Sequence, residues 1–146
     1  MVHSGRAFAQ VDVTGRAVGL AAAQCLVVLS EDNPCTMQRI TEHPAALALL
    51  LASIASQPAC GADALIKAAC IGTVYNLREA VAGDTEHQLF AAIADMLGVD
   101  LAGELASAAG EESTLATARQ YMQAQRQALE VLANCCTVEA GGFVGP

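Results

Sequence analysis

Cys70-Ile71-Gly72-Thr73-Val74-Tyr75-Asn76-Leu77 and Ala128-Leu129-Glu130-Val131-Leu132-Ala133-Asn134-Cys135 carry one pattern twice. Small or apolar residues stand at 70/128, 71/129, 74/132 and 77/135, with an asparagine in the same phase at 76/134. The spacing is that of an apolar helix face. Ala22-Ala23-Gln24-Cys25-Leu26-Val27-Val28-Leu29 is a weaker third copy, with Val28 where the asparagine would stand. The copies begin at 22, 70 and 128, so they are 48 and 58 residues apart. Helical repeats of about 40–47 residues have this order of spacing, and the surplus would fall in loops, chiefly around 98–113.

Composition supports helices throughout. Hydrophobic residues make up 54% of the 146, aromatics only 3%, and Trp is absent. Apolar mass of this kind, mostly Ala, Leu and Val, suits close helix packing better than sheets. The expected elements are a helix over 15–30, a short one over 36–41, and one over 44–56 that is apolar nearly all round and so buried between neighbours. A helix follows over 64–81 with Asp63 as N-cap, then one over 85–97 opened by Thr85 and closed by Gly98. Glu31-Asp32-Asn33-Pro34 ends the first helix, and Gly83 is the expected left-handed residue after the fourth. Residues 100–109 read as a short helix or a connection, and a long helix runs from Ser113 or Thr114 to about Thr137. In domain terms, 1–14 is a frayed segment or the end of a truncated helix, 15–138 a helical-repeat domain, and 139–146 a flexible tail.

The pattern resembles the armadillo/HEAT family. Ala-Leu-x-x-Leu-x-Asn at 128–134 is similar to the inner helix of an armadillo repeat. The resemblance implies an all-α, right-handed superhelical stack of about three irregular repeats. It also implies a concave groove where Asn76 and Asn134 hold an extended partner segment, an amide offering both donor and acceptor. One turn earlier that family often carries Trp. Here Gly72 and Glu130 stand instead, which removes the indoles that would stack on lysine stems. Leu29-Ser30-Glu31-Asp32-Asn33-Pro34, with 72–77 and 128–136, is similar to the symportin family of ribosomal-protein import adaptors. Such proteins are much longer, so the resemblance implies a fragment or a divergent short member. Partner-binding residues are then Asn76, Asn134, Gly72 and Glu130, the cargo a basic, ribosomal-type protein, and the compartment cytoplasm or nucleus.

The formal charge is −8, and it is placed unevenly. Glu79, Asp84, Glu86, Asp95, Asp100, Glu104, Glu111 and Glu112 fall in a stretch, 79–118, with no Lys or Arg. Such a stretch reads as a set of solvated helix faces and loops or, more sharply, as a field that attracts a basic partner, whereas a phosphate backbone needs a cationic patch. The six cysteines form no C-x-x-C pair, and His3, His43 and His87 have no ligand spacing to them, so no metal or cofactor is expected. No secretory h-region opens the chain, and the apolar run at 45–55 is too short to span a bilayer. Neither P-loop, nucleophile elbow nor H-E-x-x-H is present, and the expectation is a non-enzymatic scaffold. The competing readings are a self-associating helical bundle, with the two asparagine helices antiparallel around one core, and a small-molecule-binding or catalytic helical domain with a closed pocket of converging polar groups. The apolar first helix cannot serve as an outer cap, so an exposed apolar edge is expected, covered by missing repeats, a partner or self-association.

Overall fold

The computed structural model describes residues 4–81, 83–107 and 112–140, and among these the chain is all-α, with no strand. Seven helices follow one another: α1 (Ser4–Ser30), α2 (Pro34–Thr41), α3 (Pro44–Ala55), α4 (Gly61–Leu77), α5 (Thr85–Leu97), α6 (Leu101–Ser107) and α7 (Glu112–Ala140). α1 begins at Ser4, so helix runs through the part of 1–14 that is described. Of the flexible tail expected over 139–146, Glu139 and Ala140 belong to α7, and residues 141–146, like 108–111, lie outside the described residues.

The turn between α1 and α2 is built by three adjacent side chains. Asp32 takes the left-handed conformation (φ 47°) just beyond the end of α1. Asn33 instead caps α2, its side-chain oxygen accepting from the Thr36 amide at 3.2 Å, and Pro34 occupies the first helical turn. Gly83 has positive φ (107°) as expected, but it lies in the α4–α5 connection because α4 already ends at Leu77.

Two cap assignments are corrected. α4 starts at Gly61, which moves Asp63 inside the first turn. There its carboxylate accepts from the Ala59 amide (3.3 Å) and pairs with Arg16 of α1 (3.0 Å). Thr85 is the first residue of α5 and is buried, with Asp84 at the cap position. α3 is also corrected: Leu50 and Ile54 are buried, but Leu49 is 70% exposed. α3 leans on α2, α4 and α5, and the face bearing Leu49 is left to solvent.

α4 is the centre of the core. It touches α1 on one flank and α7 on the other, and also α2, α3 and α5. Close contacts set the register of the three long helices. Along α1 and α4, Arg16 meets Asp63, Gly19 lies against Ile66, Val27 against Gly72, and Ser30 against Asn76. The numbers rise together, so α1 and α4 run parallel. α4 and α7 do the same: Gly61 lies against Thr117 and Gln120, and Asn76 faces the same groove as Asn134. The α1–α4 contacts join residues 45 to 47 apart, against the 48 that separate the sequence copies.

Buried alanines let these helices approach. Ala64, Ala68, Ala124 and Ala128 are at most 2% exposed. Around them Ile71, Val74, Leu77, Leu89, Ile93 and Met96 fill the core. Every buried side-chain nitrogen and oxygen among the described residues has a hydrogen-bond partner.

Candidate functional site

A groove of about 640 Å³ lies where α1 ends, between α1, the second half of α4 and the second half of α7. Gly72, Asn76, Glu130 and Asn134 all line it. The structure thus brings the four residues singled out from the sequence onto one surface. Val27, Ala68, Ala69 and Val131 give the groove an apolar floor.

Gly72 is there because α1 comes close. A Cβ at this position would lie 3.2 Å from Val27 Cγ2, tighter than ordinary contact. An indole there would displace Val27 and push α1 away.

The two asparagines differ in what they do. The Asn76 amide nitrogen donates to the Val27 carbonyl (3.3 Å) and to Ser30 Oγ (2.9 Å). Ser30 Oγ itself donates to the Val27 carbonyl at 3.0 Å, and the Glu31 amide donates there too. Asn76 therefore ties the last turn of α1 to α4, adding a further donor to a carbonyl that already accepts from the Glu31 amide. Asn134 is exposed, and its backbone carbonyl accepts from Thr137 Oγ1 at 3.0 Å.

Sequence reasoning missed several groove residues. The Arg78 guanidinium lies 4.0 Å from the centre of the Tyr75 ring and donates to the Tyr75 carbonyl at 2.9 Å. The signal was an aromatic and an arginine three apart at a helix end. Glu31 and Asp32, which the sequence marks as a helix stop, also form part of the wall, as does Glu79. Of the acids at 79–118 among the described residues, only Glu79 lines the groove.

The groove is electrostatically negative. Glu31, Asp32, Glu79 and Glu130 face a single arginine, Arg78. Glu79 lies 3.5 Å from Arg78, and Glu130 accepts from Arg126 at 3.0 Å, but both pairs are solvent-exposed and correspondingly weak. Because α1 and α4 are parallel, both point their C-terminal, partially negative ends at this place. In an antiparallel pair those ends would lie apart.

Burial pushes the Cys70 and Cys135 thiols up from their ordinary values, which disfavours the reactive thiolate. The chain's one lysine, Lys67, is 2% exposed and lies away from the groove. Among the described residues no group of three His, Cys, Asp or Glu side chains could hold a metal ion. All six cysteines are free. Native-state labelling with a thiol reagent should modify Cys35 and Cys136 quickly and Cys70 only on unfolding; mass mapping of the early adducts checks this.

No family model, curated protein or solved structure matches this chain.

Proposed function

We propose that this protein is a non-enzymatic binding scaffold of the helical-repeat kind, whose groove takes an extended, positively charged polypeptide segment. The observation that carries the reading is the groove itself: amides, carboxylates and two aligned helix C-termini over an apolar floor, with Gly72, Asn76, Glu130 and Asn134 all on its surface. The parallel, in-register run of α1, α4 and α7 supports a superhelical stack of armadillo/HEAT type. A bundle closed around one core would place the asparagine helices antiparallel. A basic ribosomal-type cargo, as the symportin resemblance implies, is one source of such a segment. The free cysteines suit a reducing compartment, cytoplasm or nucleus.

A labelled, extended peptide alternating Lys or Arg with small residues provides the test. Anisotropy at low salt should show micromolar binding that weakens about tenfold at high salt. Glu31→Lys combined with Glu130→Lys should cost at least about tenfold, since both walls then repel the ligand. Asn134→Ala should cost about threefold, one exposed hydrogen bond. Equal affinity in the charge-reversed variant, or no binding by the wild type, would overturn the proposal.

A further inference from the structure

We infer that the outer face of α1 is a dimer interface, occupied by α1 of a second copy of this chain. α1 meets α4 through one face, on which Arg16, Gly19, Ala23, Val27 and Ser30 lie. At 100° per residue the opposite face carries Thr14, Val18, Ala21, Cys25 and Val28, the last of which also lines the groove. Their spacing alternates four and three, the 3.5-residue period of a helix-pairing seam. All five are exposed, Val18 by 64% and Val28 by 68%.

Charge selects the occupant. From Val13 to Ser30 the only charged residue is Arg16, and Asp63 holds it on the inner side. This window has a mean hydropathy of 1.5 and is 11% buried; by length and composition alone it could cross a membrane. Its pairing and register with α4 place it instead on the flank of a folded domain. The seam offers nothing to a charged partner, and covering it desolvates no ion. The other end of the three-helix layer is different. The exposed Leu115, Met122 and Leu129 of α7 are interleaved with exposed Arg119, Arg126 and Glu130. Head-to-tail stacking would bury those charges against an uncharged face. A neutral strip of small side chains is complementary to itself, and two-fold antiparallel pairing also sets opposite helix dipoles side by side.

Area sets the strength. Eighteen residues of helix extend about 27 Å. Pairing two such strips removes on the order of 1,000 Å² from solvent, the lower edge of specific interfaces, so the dimer should form at micromolar concentrations.

Sedimentation velocity over roughly 1–500 µM decides the matter. The wild type should pass from monomer to dimer. Val18→Glu with Val28→Glu should stay monomeric with unchanged helicity and melting, both sites being exposed, and Met122→Glu with Leu129→Glu should dimerise as the wild type does. A wild type monomeric throughout, a dimer that survives the α1 changes, or one lost with the α7 changes would overturn the inference. A monomer that binds neutral phosphatidylcholine vesicles would assign the face to lipid and overturn it as well.

Discussion

Replacing Gly61 with alanine is expected to destabilise the protein by about 2–3 kcal/mol. The sign is opposite to the usual one, because glycine to alanine within a helix ordinarily stabilises by about 1 kcal/mol. Gly61 is the first residue of α4 and is buried against α7. A Cβ there would sit 2.7 Å from Gln120 Cβ and 2.8 Å from the Thr117 carbonyl oxygen. The tip of Gln120 can swing aside, but its Cβ and the Thr117 carbonyl move only with α7 itself. The shift falls where α4 and α7 begin their parallel run, so it carries along α7 to the groove. Thermal unfolding should show a midpoint lower by roughly 5–10 °C. Gly15→Ala is the control: nothing lies within 4 Å of its Cβ position, and it should gain the ordinary helix increment. A Gly61→Ala variant as stable as Gly15→Ala would mean that α4 and α7 do not approach this closely.

What could be read in the sequence was phase, and what could not was neighbourhood. α5 was legible to the residue, Thr85–Leu97 with Gly98 after it, because glycines bracket an amphipathic run. The shared groove of Asn76 and Asn134 was legible because equal helical phase puts two residues on one surface once their helices run parallel. Parallelism came in turn from the similarity of the copies. The surroundings of Leu49 were not legible: an all-apolar helix announces burial without saying how many sides have a neighbour. The job of Asn76 was half legible. Its place on the groove followed from phase, but its amide hydrogens are spent on Val27 and Ser30, a tertiary contact with no mark in the local sequence. The long acidic stretch was conspicuous in the chain and mostly irrelevant to the groove, whose wall draws Glu31 and Asp32 from a turn nearly fifty residues earlier.

Lys67 is the clearest case of a residue whose meaning lies wholly in its surroundings, and its replacement should have the largest effect of any single change outside the groove. Read alone, Ala64-Leu65-Ile66-Lys67-Ala68-Ala69 is an apolar run with one surface lysine. In the fold that lysine is 2% exposed. Its ammonium donates to the Ser56 carbonyl at the end of α3 (3.0 Å) and lies 3.7 Å from Asp95 of α5, which also accepts from Gln57 (3.4 Å). One side chain thus joins α4 to the elements on either side of it. Lys67→Ala removes a buried stem and leaves a carbonyl without its donor, a loss of about 3–4 kcal/mol in denaturant unfolding. Lys67→Met keeps the volume and should lose only about 1 kcal/mol, because it also abolishes the burial of a charge. The pH dependence separates the two contributions. Burial lowers the Lys67 pKa below its ordinary value of 10.5, with Asp95 opposing part of the shift. Between the lowered folded value and 10.5 the unfolded chain binds more protons, so this group makes stability rise with pH in that window. Cys70 and Cys135, whose thiols burial shifts upward, act in the opposite sense over an overlapping range. The wild-type curve mixes these effects, but the difference between wild type and Lys67→Met isolates the lysine. The deficit of Lys67→Met should widen as pH climbs toward 10.5. A difference that stays flat with pH would mean that Lys67 keeps its ordinary affinity for the proton and is not buried as the structure has it.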